Sequence, residues 1–358
     1  MRVQSTPEVI PMFVGGEFYP DPRWVRAEPQ LHTTGLYFLN GGRACLTVIA
    51  AALRARGVRR ILLPSYLCPS IPKTLRACGL PTAFYRVRAD LSLDLEDIAR
   101  QQSRAQALYF INYFGFAHPP AVRAFMQDYQ RSGGWVVEDN AQAGFLEPSV
   151  GDFVFNSLRK LCAHDGAYLH SRVDLAPLLA SFPPVPNPRL PLIRAYRQGL
   201  YAYQVEHRGS HARLRALYRQ AERLYERLPV IHGDAQERCE IEHLDWAGLR
   251  QARRSNYQTL LDLLNSIPQA VPVFPQLQAD TLPLGLPVYL PRGLRDRVYE
   301  ALGQAGVGAV IHWPPHARAD PHTRAAAERM LTLPVDERAR RKHMEYVALQ
   351  LSRALAGV

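Results

Sequence analysis

Two residues of complementary chemistry stand 21 positions apart: Asp139, closing the apolar run Trp135-Val136-Val137-Glu138, and Lys160, which follows Phe153-Val154-Phe155-Asn156 and the step Ser157-Leu158-Arg159. In open α/β sheets ligands gather at the carboxyl ends of strands, so both residues are placed to face one pocket. A primary amine forms imines with carbonyl compounds once it is neutral. A carboxylate can hold a proton on a heterocyclic ring nitrogen and so keep the ring an electron sink. Only three of the 43 basic residues are lysines (Lys73, Lys160 and Lys342), and the other 40 are arginines, whose guanidinium stays protonated and cannot do imine chemistry. A lysine kept at a strand exit in such a chain carries weight. The ordinary alternatives are a surface lysine and an aspartate that caps the next helix.

Other residues could serve the same pocket. Asn40-Gly41-Gly42-Arg43-Ala44 puts two glycines before a helix, where free backbone N–H groups and the helix dipole favour a phosphate, although a glycine pair is also common loop punctuation. Gly306-Val307-Gly308-Ala309-Val310-Ile311-His312-Trp313-Pro314-Pro315-His316 carries two histidines at the spacing of helical metal ligands, but Pro314 and Pro315 forbid that helix. No metal is expected there, and His312 and Trp313 are read as substrate contacts. Tyr66, Tyr109, Tyr113 and Phe114 sit near strand ends, where an aromatic either stacks on a ring or packs in the core; Tyr66 is taken as a further substrate contact. The five cysteines are scattered without a Cys-x-x-Cys pair, which argues against zinc and a disulfide framework and for reduced thiols.

These residues need elements to hold them. Strand-like runs at 59–63, 82–87, 107–112, 135–138, 153–156 and 167–170 alternate with helix-like stretches at 46–56, 71–78, 93–101 and 120–131. That alternation predicts an α/β fold with a mostly parallel central sheet covered by helices on both faces. A proline-rich stretch at 182–191 and an amphipathic helix at 212–228 follow, the latter suited to docking on a partner subunit. From about residue 282 a strand (284–290), a helix (294–305), a strand (307–312) and a closing helix predict a smaller α+β domain. The boundary is placed between a large domain at 1–240, with an N-terminal arm and a helical segment about 190–230, and a small one at 241–358. Pro7, Pro11 and Gly15-Gly16 interrupt any leader-like apolar stretch, so a cytoplasmic enzyme is expected. The net charge of +11 is spread along the chain, with no basic tail or aromatic-interleaved stripe, and nucleic-acid binding is not expected.

Taken in order, these segments resemble the DegT/DnrJ/StrS-type aminotransferases, known for installing amines on nucleotide-linked keto sugars. Asn40 to Ala44 is similar to the family's phosphate loop, Leu63-Pro64-Ser65-Tyr66 to its second strand end, Val137 to Ala143 to its aspartate motif, and Gly151-Asp152 through Lys160 to its lysine segment, in the variant with Ser-Leu-Arg-Lys followed by Asp165-Gly166. Arg253-Arg254-Ser255-Asn256-Tyr257, the run 283–288, Gly306-Val307 with His312-Trp313-Pro314, and the run 331–336 continue the likeness. The resemblance implies fold type I and pyridoxal 5'-phosphate (PLP) held as a Schiff base by Lys160, which then serves as general base. Asp139 would pair with the pyridine nitrogen, Gln142 would lie near the ring, and Gly42, Arg43 and Ser157 would hold the phosphate. It further implies a homodimer that passes an amino group from an amino-acid donor to a carbonyl acceptor. The chain departs from the family at Phe155, where the sugar enzymes place the phosphate serine, around Cys68, where an aromatic often stacks on PLP, and at 194–209, which lacks the family's glycine-asparagine-rich segment. The departures leave open another PLP-dependent reaction, such as decarboxylation, elimination or condensation. A non-catalytic PLP-binding regulator is the third reading, against which the retention of Lys160 and Asp139 speaks.

Overall fold

The computed structural model describes residues 13–227, 230–315 and 319–357, except for the side chains of 226 and 227. The arm before Phe13, Leu228 and His316 therefore lie outside the described residues.

The chain passes from a short strand β1 (Val14–Gly15) to β2 (Tyr37–Leu39) and then alternates: α1 (Gly42–Ala55), β3 (Ile61–Pro64), α2 (Ser70–Ala77), β4 (Thr82–Tyr85), α3 (Leu95–Gln101), β5 (Ala107–Ile111), α4 (Pro120–Arg131), β6 (Trp135–Asn140), β7 (Phe153–Asn156) and β8 (Ala167–Ser171). Seven of these strands form one sheet in the order β2-β8-β7-β6-β5-β3-β4. Strands β3 to β7 run parallel, and β8 lies antiparallel to both β7 and β2. Every residue of β3 and β5 is buried, as expected of parallel strands covered on both faces by helices. α1 carries much of that cover, burying Cys45, Val48, Ile49, Ala52 and Leu53 along one side.

Helices α5 (Ala176–Ala180), α6 (Arg189–Gln204), α7 (His211–Arg227), α8 (Ala235–Glu242) and α9 (Trp246–Leu264) lead to the second unit. There β9 (Val271–Pro272), β10 (Leu286–Tyr289), α10 (Arg295–Gln304), β11 (Val307–Gly308), α11 (Pro321–Ala327), β12 (Met330–Leu333) and α12 (Arg341–Ala356) follow one another. Their sheet, β12-β10-β9, is antiparallel, and α9, α10 and α12 pack together beside it. The architecture is the α/β sheet with a smaller C-terminal α+β unit that the alternation predicts. α7 docks on α6 through a separate apolar cluster of Ile193, Tyr196, Leu200, Leu214 and Ala221.

The run 307–312 differs from the expected single strand. The N–H of Ala309 bonds back to the carbonyl of Val307 at 3.0 Å, so the chain bends and serves two partners: Val307–Gly308 pairs with β1, and Val310 bridges to Thr332 of β12. Among the side chains that join the two units is a fully buried arginine. Arg253 of α9, 1% exposed, donates to Glu337 through Nε (2.7 Å), to the carbonyl of Leu161 through Nη2 (2.9 Å) and to that of Pro283 through Nη1 (3.4 Å). Among the described residues no helix is long and apolar enough to cross a membrane.

Candidate active site

Strand β6 ends Glu138-Asp139-Asn140, and alternation along a strand sends neighbouring side chains to opposite faces. Glu138 is used up by the loop before β7: its carboxylate accepts the N–H groups of Val150 (2.7 Å) and Gly151 (3.0 Å) and the amide of Asn112 (2.9 Å). Asp139, 3% exposed, accepts the N–H of Ala141 at 2.7 Å on one oxygen and the hydroxyl of Tyr109 on the other. No helix follows β6, so Asp139 fixes a turn and caps no helix. Burial pushes its carboxyl above the usual range, while the charge of Lys160 and the bonds from Tyr109 and Ala141 pull it back.

Beyond β7 the chain makes one tight turn, Leu158–Lys160, which leaves Lys160 half-buried with its amine 5.9 Å from the ring of Trp313. His312 also feels this charge: burial first, then Lys160, lowers its imidazole to about 3, so the ring is neutral at physiological pH. Its Nδ1 sits 2.9 Å from the Thr332 hydroxyl, and its ring meets Phe114 edge-on at 5.3 Å. Trp313 in turn packs on Tyr66 at 5.3 Å. The Tyr66 hydroxyl donates to the sulfur of Met330 at 3.2 Å, so Tyr66 supports Trp313 and has already spent its hydroxyl.

The N-terminus of α1 lies against the end of β7. A Cβ added at Gly42 would meet Phe155 and the Ser157 Cβ at 3.5 Å and the Ser157 hydroxyl at 3.6 Å, so the glycine keeps a small space open beside that serine. Ser157 is 5% exposed, and its hydroxyl has no hydrogen-bond partner among the described residues. Gln142, 1% exposed, accepts the N–H of Phe114 at 3.0 Å through Oε1, while its Nε2 is buried with no acceptor. The Arg43 guanidinium turns away to the carbonyl of Tyr225 (3.0 Å) and lies 4.0 Å over that ring. Arg159 and Arg189 approach the same ring at 4.5 and 5.0 Å, and a Cβ at Gly41 would come within 3.1 Å of the Tyr225 hydroxyl. Sequence reasoning missed Tyr225 altogether and left Tyr109 among undifferentiated aromatics.

No family model matches the sequence, and no curated protein does. Solved structures match its fold. Spr1654 from Streptococcus pneumoniae in its PLP form superposes with a TM-score of 0.67 at 13% identity, over 96% of this chain and 99% of that one. PseC of Helicobacter pylori, an aminotransferase involved in the biosynthesis of pseudoaminic acid, gives 0.63 at 11% identity over 90% and 87%. DesI, crystallised in the presence of its TDP-sugar product, gives 0.64 at 20% identity over 90% and 81%. The chain shares the fold of these aminotransferases.

Pyridoxal phosphate, implied by the shared fold, can be tested against the residues at the strand ends. The orphaned amide of Gln142 is a buried donor that lacks an acceptor, a costly state in a folded protein, and the Ser157 hydroxyl beside Gly42 is unpartnered among the described residues. The space at Gly42 and the free N–H groups that begin any helix suit a phosphate. Asp139 presents a buried carboxylate and Lys160 a primary amine to the same region, with Phe155 pairing beside Asp139 across β6 and β7. Arg43 departs from expectation: its side chain is engaged by Tyr225, so what it offers the phosphate is its backbone.

Proposed function

We propose that the chain is a PLP-dependent aminotransferase that moves an amino group from an amino-acid donor to a carbonyl acceptor, a nucleotide-linked keto sugar. The observation that carries this reading is the nearness of the Lys160 charge to the buried Asp139 carboxylate at the ends of the adjacent strands β6 and β7. When bound, PLP supplies an aldehyde for an imine and a ring that accepts electrons from the substrate's α-carbon. Lys160 holds the cofactor and then, as a free amine, shuttles the proton at that carbon. Asp139 keeps a proton on the ring nitrogen, Gln142 donates to the polar edge of the ring, and Gly42 and Ser157 hold the phosphate. The Trp313 ring, braced by Tyr66, and the neutral His312 face the substrate side. The keto-sugar acceptor is supported by DesI, whose structure was solved with a TDP-sugar product.

We assign the cofactor to residues 1–240 and the His312-Trp313 contacts to residues 241–358, and we take the working form to be a homodimer. Amphipathic α7, packed on α6 by one face only, supports that assembly. The purified protein is expected to be yellow, and borohydride should fix the cofactor on Lys160. Adding amino acids one at a time should bleach the colour with the true donor. Labelling at Lys73 or Lys342, or a colour that no amino acid discharges, would overturn the reading.

A further inference from the structure

The aminotransferase reading uses Asp139 and leaves its neighbour Tyr109 unexplained. Ile111 of β5 pairs with Asp139 of β6 and Tyr109 with Val137, so Tyr109 and Asp139 lie diagonally on one face of the sheet. Phe155 pairs with Asp139 from the other side, and its ring lies 6.3 Å from that of Tyr109. Tyr109 is fully buried, and its hydroxyl donates to the Asp139 carboxylate. We propose that Tyr109 is a positioning residue for Asp139, holding its carboxylate ionised and aimed so that it keeps the cofactor's ring nitrogen protonated. This rests on the aminotransferase reading.

The argument is one of balance. A carboxylate taken out of water is driven toward its neutral form, and a neutral Asp139 could not stabilise a cationic ring. Three groups oppose that drive: the Ala141 N–H, the Lys160 charge and the Tyr109 hydroxyl. The other titratable groups that feel Asp139, Cys45 of α1 and Tyr113, are buried and held neutral by burial first and then by that carboxylate among others, so they contribute no charge. The Lys160 amine is consumed when it bonds the cofactor, which leaves Tyr109 as the side-chain donor still in place. Tyr109 itself stays protonated, because burial and the adjacent carboxylate both push its phenol well above the ordinary value. Toward the carboxylate it can therefore only donate.

The experiment reconstitutes the parent and Tyr109→Phe with PLP labelled with ¹⁵N at the ring nitrogen. In the parent the ¹⁵N resonance should mark a protonated ring across the range of stable pH. In Tyr109→Phe the cofactor should still be fixed on Lys160 by borohydride, while the resonance moves toward the unprotonated position and titrates with pH. The half-reaction with the amino donor should slow by about tenfold, as for loss of one hydrogen bond to a charged group. In an Asp139→Asn background, Tyr109→Phe should change the resonance little. A folded, PLP-loaded Tyr109→Phe with the parental resonance and pH profile overturns the proposal. So does a parent whose ring nitrogen is unprotonated at neutral pH, which decides the matter even if the variant fails to fold. Absence of PLP binding by the parent, or labelling at another lysine, would sink the aminotransferase reading itself and is told apart by the borohydride step.

Discussion

Lys160→Ala is expected to lower aminotransfer by about 10⁴-fold, the upper end for loss of a general base, because the same amine also forms the bond to the cofactor. No other lysine can step in. Lys73 lies on α2 and lines a cavity of about 570 Å³ together with Asn40, Gly41, Arg43 and Tyr225, not at the end of β7, and Lys342 belongs to the first turn of α12. The forty arginines cannot form the imine at all. Stability should change little, since Lys160 is half-buried and its amine has no hydrogen bond or ion pair among the described residues, only the Trp313 ring. Single-turnover rates and a thermal melt on the one variant measure both claims. A variant within a hundredfold of the parent would remove Lys160 from the reaction.

The second large effect belongs to Asp139. Asp139→Asn keeps the shape and removes the charge, and a fall of at least ~100-fold is expected, about 2.7 kcal/mol of barrier. The cofactor should stay bound, because the phosphate contacts and the Lys160 bond are untouched. The structure sharpens the competing view, in which Asp139 only fixes the turn through the Ala141 N–H. An asparagine Oδ1 accepts that bond equally well, so on that view neither rate nor stability should move. Measuring the single-turnover rate together with cofactor occupancy separates the two, and a rate within a few-fold of the parent would leave Asp139 a turn residue.

What could be read from the sequence was what depends on local period and residue type. Helix α4 and strand β7 begin and end where the pattern places them, because Pro120 starts the one and alternating bulky residues make the other. Residue type and position marked Asp139 and Lys160, whereas the reason Glu138 is not the free carboxylate, its capture by the loop at 147–151, is visible only in the fold. Tyr109 was invisible for a different reason. Its place beside Asp139 depends on the register between β5 and β6, and a slip of one residue would have sent it to the other face. The cage around Tyr225 gathers residues from α1, the lysine turn, α6 and α7, elements far apart in the chain, so no window of sequence contains it. The same cage drew the Arg43 side chain away from the phosphate role its position suggested.

The Arg253 junction bears on how the molecule comes apart. Its guanidinium spans from Glu337, on the path into α12, to the carbonyl of Leu161, the residue after the proposed catalytic lysine, and all of it is buried. Separating the C-terminal unit from the large sheet would keep the Arg253–Glu337 pair but strip the guanidinium of the Leu161 carbonyl, at a cost of about 1.5–3 kcal/mol for a hydrogen bond to a charged group. Heat should therefore melt both units in one calorimetric peak, with the van't Hoff and calorimetric enthalpies in agreement. Exchanging Arg253 for methionine and Glu337 for glutamine together removes the tether without leaving a lone charge. A scan of that pair resolving into two peaks would show that the coupling between the units depends on this buried junction.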